Sequence, residues 1–350
     1  MPGERTASAG TLLSVLITLL AIGGVAAPGL GGEPPVLSVG AITQPPMDDP
    51  WTDWPDPDFP RTAWTIDYRF RTLASSCTSY EFGTLEAPPA GYSPISRLDF
   101  PINSSWHGVE LGYRRPRWAI HGEWLTPQQG IHGELADFDW RAPDQPFTDL
   151  GLVKQRWTEG QMADLGTEFQ LIERCFSLPV EFWPTAGFRW QRFNITAYDL
   201  MQVKWNGQWL DPPYSETGDI ITFNQQYYIG YVGGQLRTTL RSEMLPPLLL
   251  RLQGDWGATE AYNVDHHLAR EGDRYTMERT HGDAWHIGLV AEMPFSPRLS
   301  LGFQVDHLEI RTTGTHHHYN APEGEDWTWD NGVAVSSDQT SYGAFVRLRL

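Results

Sequence analysis

From about Thr65 onward the chain alternates in character with a period of two residues. Tyr68, Phe70 and Thr72 interleave with Arg69, Arg71 and Leu73, and Val203 and Trp205 flank Lys204. Leu299, Leu301, Phe303 and Val305 interleave with Ser300, Gly302, Gln304 and Asp306. Tyr342, Ala344, Val346, Leu348 and Leu350 do the same with Gly343, Phe345, Arg347 and Arg349. Successive side chains of a strand point to opposite faces, so this period predicts strands with two unlike faces. The breaks between segments are of two kinds that take turns. Short Pro-centred turns fall at 114–117, 177–179, 244–247 and 294–297, and longer polar breaks near 86–95, 141–156, 206–218, 265–274 and 315–338. Alternating tight turns and long loops are the layout of an outer-membrane barrel. The pattern therefore predicts an all-β fold, an antiparallel transmembrane β-barrel of about ten strands, with 343–350 in the closing strand. A soluble β-sandwich with uneven loops is the competing architecture.

The first residues read differently. Arg5 precedes an apolar run at 12–22 and small residues at 23–27, the layout of a cleaved secretory signal over 1–27. The run is short of the roughly 20 residues a spanning helix needs. Residues 28–62 carry Pro34, Pro35, Pro45, Pro46, Pro55, Pro57 and Pro60 among several aspartates, which predicts a linker ahead of a barrel at 63–350. The later apolar stretch 244–250 contains Pro246 and Pro247 and does not read as a helix. The formal net charge of −18 argues against nucleic-acid binding and suits attraction of cationic peptides or simple solubility. Sixteen Trp and 13 Tyr fit a barrel, because these side chains concentrate at bilayer interfaces. Cys77 and Cys175 are the two cysteines, and an exported chain could bridge them or leave them as thiols.

Two acid-rich triplets carry the chemistry. Asp137-Phe138-Asp139-Trp140 and Asp265-His266-His267 each place a carboxylate two residues from another acid or an imidazole. On strands, Asp137 and Asp139 share one face, as do Asp265 and His267, while His266 faces the other way. A carboxylate beside an imidazole is a means of activating water at neutral pH. The strand after each of the turns at 114–117 and 244–247 runs outward in a barrel that starts on the periplasmic side. Both triplets then fall on the same rim, on the third and seventh strands, where they can face each other across the lumen.

With these positions, the chain resembles the omptin family of outer-membrane aspartyl-type proteases. Phe82-Gly83-Thr84-Leu85 and Ser96-Arg97-Leu98-Asp99-Phe100 resemble segments of the family's first two strands. Asp137-Phe138-Asp139-Trp140 is similar to its Asp-x-Asp-Trp motif and Asp265-His266-His267 to its Asp-x-His motif, in the same order over nearly all of 67–350. The resemblance implies a bacterial outer-membrane endopeptidase with catalytic residues Asp137, Asp139, Asp265 and His267. His267 would be the base, Asp265 its orienter, and the acid pair would position the water, with no metal or other cofactor. Peptides or proteins would be the substrates. Two floor acids give the family its preference for a basic residue before the cut. Asn263 stands at one of these positions. Glu81 and Glu86 lie near the other without matching its spacing, so Asn263 and Glu86 are the candidate substrate-binding residues. The family also binds lipopolysaccharide as an activating lipid on its outer wall. Arg192 is the matching lipid-binding position, and Trp190 stands where the family has an acid.

Other readings compete. Acidic outer loops are commonly just solvated, and carboxylates with a histidine can hold Zn or Mn, which chelator sensitivity would reveal. His316-His317-His318 reads as a mobile solvated run on a long loop more readily than as a metal site. Asn103-Ser104-Ser105 fits a glycosylation pattern that a bacterial barrel would not use. The fold could also be kept without the activity, as an adhesin, a structural barrel or a small pore.

Overall fold

The structure, a computed structural model, describes residues 63–83, 94–128, 130–141, 146–175, 178–242, 246–269 and 274–350. The signal expected at 1–27, the linker expected at 28–62 and Glu86 lie outside the described residues. The strands in chain order are β1 (Ala63–Phe82), β2 (Ser96–Pro101), β3 (Ser104–Arg115), β4 (Trp118–Pro127), β5 (Glu134–Asp139) and β6 (Asp149–Phe169). They continue as β7 (Val180–Trp205), β8 (Gln208–Leu240), β9 (Leu248–His267), β10 (Arg274–Pro294), β11 (Leu299–Asn320) and β12 (Glu325–Arg349). Each pairs antiparallel with its neighbours, and β12 pairs with β1 to close the ring. β2 and β3 both pair with β1, at its outer and inner ends respectively, so together they form one stave. β4 and β5 share a stave against β6 in the same way. The twelve segments thus make ten staves, and closure leaves no open edge.

Near the tight turns the outward faces are apolar. Tyr68, Phe70, Leu111, Trp124, Leu165, Val232, Trp256 and Phe303 are all exposed there, forming the belt that a bilayer would cover. The inward faces at this height are charged. Arg347 lies 2.6 Å from Asp67, 2.7 Å from Glu292 and 3.3 Å from Glu110. Arg69 reaches Glu110 at 2.7 Å and Glu123 at 3.1 Å, and Arg189 reaches Asp255 at 2.6 Å and Asp164 at 2.8 Å. Paired charges fill the belt-level lumen around a cavity of only about 140 Å³, a packing that does not favour a pore.

Above the belt the faces exchange character. Phe100, Trp106, Phe193, Phe223, Ile229, Ile310 and Val335 point inward and form one apolar core. β11 shows the exchange along a single strand: Phe303 is outside and Gln304 inside, whereas Ile310 is inside and Arg311 outside. A bulge in β1 between Ala74 and Cys77, with Ser75 at φ 53°, inserts one residue and turns Ser76, Thr78 and Tyr80 inward. Asn103, at the break between β2 and β3, accepts a 2.8 Å hydrogen bond from the Ser76 backbone N–H.

Two breaks expected to be long loops are strands instead. β7 and β8 run on to a tight hairpin at Asn206-Gly207, whose φ values of 48° and 80° suit a two-residue turn. β11 and β12 extend through most of 315–338, with a 3-10 turn at Ala321–Glu323. Beyond the lipid, neither face of a strand must be apolar, so a polar segment there resembles a loop in sequence. His316-His317-His318 consequently lies on β11, with His316 and His318 buried inside the barrel. Cys77, on the outer half of β1, and Cys175, in the connection between β6 and β7, are both free thiols.

Candidate active site at the barrel mouth

The outer end of β9 presents Asn263, Asp265 and His267 inward in succession, because odd positions of this strand face the lumen. Asp265 is 3% exposed, and its Oδ2 lies 3.5 Å from His267 Nε2. That separation exceeds a hydrogen bond, although such contacts often tighten only when substrate is present. His266 faces outward and stacks on Tyr275 with ring centroids 4.0 Å apart. Beside Asp265 lies its β8 neighbour Phe223, stacked at 4.1 Å on Phe100. The acid–imidazole pair is thus flanked by packed apolar side chains.

β5 supplies the second pair. Asp137 and Asp139 share one face of β5, while Phe138 points the other way, with Arg97 4.9 Å over its ring. The Asp139 carbonyl accepts from Thr148 N at 2.8 Å and from Thr148 Oγ1 at 3.1 Å, which fixes the end of the strand. Asp149, which the sequence reading did not single out, braces this rim. Its carboxylate accepts from Arg141 Nε at 2.5 Å and from the Asn206 backbone N–H at 2.7 Å, tying the β5–β6 rim to the β7–β8 turn. No sequence motif marks Asp149, because the partner that gives it this role, Asn206, comes from the distant β7–β8 turn.

The two pairs meet in space. Asp137, Asp139 and His267 line both lobes of a cleft at the barrel mouth, of about 520 and 490 Å³. Asp265 lines the first lobe, which runs to Phe82, His316, His318, Trp327 and Trp329. The second lobe runs between Leu200, Leu210, Tyr214, Ile220 and Ile221. A carboxylate–imidazole pair and a second carboxylate pair thus border one space where water and a peptide bond could sit.

A buried polar trio stands beside the first lobe, above the belt. Tyr80 Oη is 2.7 Å from His316 Nδ1 and 3.1 Å from Glu278 Oε1, and that carboxyl oxygen is 2.9 Å from His316 Nδ1. Burial pushes the Glu278 carboxyl up to about 8 and pulls His316 down to about 3. At neutral pH the trio is therefore an uncharged hydrogen-bonded cluster, not an ion pair. Asn263, across the ladder from Glu278, is 1% exposed, and neither polar atom of its amide has a hydrogen-bond partner among the described residues.

Arg192 is separate from this cleft. It faces outward on β7, 3.4 Å from Glu159, beside Trp190, which packs against Trp124 at 5.7 Å. Ligand atoms within 4.8 Å of one another occur among the described residues at His307, Glu309 and Asp338, and not among the four rim residues. At that trio Arg311 already bonds Glu309 and Asp338, each at 2.9 Å.

No protein-family model matches the chain, and no curated protein matches it. Among solved structures it is similar to the outer membrane protease OmpT of Escherichia coli. The two share 16% identity over 82% of this chain and 97% of that one, with a TM-score of 0.69. It also matches the outer membrane protein OprG of Pseudomonas aeruginosa, at 11% identity over 84% of this chain and 99% of that one, with a TM-score of 0.35. The chain has the omptin-like fold of an outer-membrane β-barrel.

Proposed function

We propose that this protein is an endopeptidase of the bacterial outer membrane that cleaves peptides or proteins with an activated water. The observation that carries the reading is that His267, Asp137 and Asp139 border the same cleft, with Asp265 beside His267. The OmpT-like fold supports it. Asp265 draws the Nε2–H of His267 toward itself, leaving Nδ1 with the lone pair that takes a proton from water. The oxygen of that water attacks the carbonyl carbon. The proton held by His267 then passes to the departing amine as the C–N bond breaks. Asp137 and Asp139 hold the water from the opposite side. The mechanism needs neither a covalent intermediate nor a metal. Arg192, outward on the wall, would contact the headgroup of a lipid such as lipopolysaccharide, an activator rather than a cofactor.

The test is hydrolysis of a diverse peptide library by the refolded barrel, with and without lipopolysaccharide, for the parent, Asp265→Ala and His267→Ala. The expected result is a loss of about 10²- to 10⁴-fold in kcat for either variant, with no change on adding a chelator. A parent that cleaves nothing in either condition would favour a barrel that keeps the fold for adhesion or structure.

A further inference from the structure

The first lobe of the cleft ends in a wall of rings drawn from three strands. Phe82 of β1 lies 4.1 Å from His316 and 5.2 Å from Trp329, His318 lies 4.4 Å from Trp327, and the two tryptophans are 3.6 Å apart. β12 is re-aimed for this purpose. Between Val333 and Trp329 it carries more residues than β11 does between Gly314 and His316, and Asn331 within that bulge has φ 53°. The tryptophans stay partly exposed, so the wall faces open space and is not a filled core.

The lobe carries charges of both signs: Asp137, Asp139, Asp149 and Asp265 line it with Arg141 and Arg274, and Glu325 lies 3.2 Å from His318. Glu278 is the acid nearest to the wall, and it is held among Tyr80 and His316 in the uncharged cluster. Asn263 presents a buried amide without partners among the described residues. Arg274 lines the same lobe, so a guanidinium already stands there. The wall itself is built of rings and carries no carboxylate, and Asp137, Asp139 and Asp265 in the same lobe are already assigned to the water and to His267. A large apolar side chain would lose only water.

We infer that the ring wall, with Trp327 and Trp329 as anchors, is a specificity pocket for a large aromatic or aliphatic side chain next to the bond that is cut. The assignment rests on the proposed peptidase reading, which it deepens by naming the substrate class.

Two measurements separate it from that reading. The first compares kcat/KM for peptides matched except for Phe, Leu, Ala or Arg at the cleaved position, using the parent, Trp329→Ala and Trp329→Phe. The expected order in the parent is Phe and Leu above Ala and Arg. Trp329→Ala should lose about tenfold or more on the Phe and Leu peptides and little on Ala, with partial recovery in Trp329→Phe. The second titrates the same peptides into the full-chain His267→Ala variant by calorimetry, which reads the pocket without hydrolysis. Tighter binding of Phe and Leu peptides, weakened when Trp329→Ala is added, supports the pocket even if the parent proves inactive. A preference for Arg in either measurement, or equal binding of all four peptides, overturns it.

Discussion

The barrel's inner half and outer half solve opposite problems with the same strands. In the inner half the outside is apolar and the lumen holds Arg347, Asp67, Glu292, Arg69 and Glu110 in direct contact. In the outer half the outside is polar and the lumen holds Phe100, Phe223, Ile229, Ile310 and Val335. Side-chain period fixes which residues share a face but not which solvent that face meets. Lipid takes the apolar face at one height, leaving charges to neutralise one another inside. Water takes the polar face at the other, leaving apolar groups to pack inside. The cleft stands on the apolar half, so its acids and imidazole are flanked by packed apolar side chains with open space above. The charged half acts as a plug beneath.

The largest effect that would test this contrast is expected in the plug. Arg347→Leu removes the cation shared by Asp67, Glu292 and Glu110 and leaves them only Arg69 and Arg349, and breaking such a buried network costs up to about 3–5 kcal/mol. Denaturant unfolding of the refolded barrel should show this as a lower midpoint. An unchanged midpoint would mean that the lumen at this height is hydrated and that the contrast is overstated.

A smaller effect, one that depends on pH, belongs to the outer half. The folded-state pKa of Glu278 is raised by burial to about 8, against an ordinary value of 4.5. Below about 4.5 it is protonated whether folded or unfolded and costs nothing. As pH rises from there through about 8, the unfolded chain gives up the proton that the folded one retains, and stability falls. Glu278→Gln should flatten that decline, so the variant gains on the parent between pH 5 and 8. Hydrogen exchange of β9 to β11 at several pH values reads the difference, and parallel profiles would show that Glu278 is not held neutral.

The smallest effect is expected on the wall between the halves. Arg192 is partly exposed and paired with Glu159 at 3.4 Å, so Arg192→Ala should change stability by less than about 1 kcal/mol. If the wall binds an anionic lipid, the same substitution should raise the lipopolysaccharide concentration needed for half-maximal hydrolysis. Identical titrations for parent and variant would remove Arg192 from lipid binding.

The sequence by itself determined an antiparallel sheet of about ten strands, and that Asp137 shares a face with Asp139 and Asp265 with His267. These follow from a period of two and from turns that alternate in length, both of which are local properties. The tertiary structure alone decided that 206–218 and 315–338 are strands, that His316 and His318 line the cleft with Trp327 and Trp329, and that Asp149 ties the β5–β6 rim to the β7–β8 turn. It also decided where along each strand the two faces exchange roles. Contacts of this kind join staves far apart in sequence, and a polar strand beyond the bilayer has no apolar face to announce it. Which residues meet across a barrel is settled by closure and register, and neither is written in any one segment.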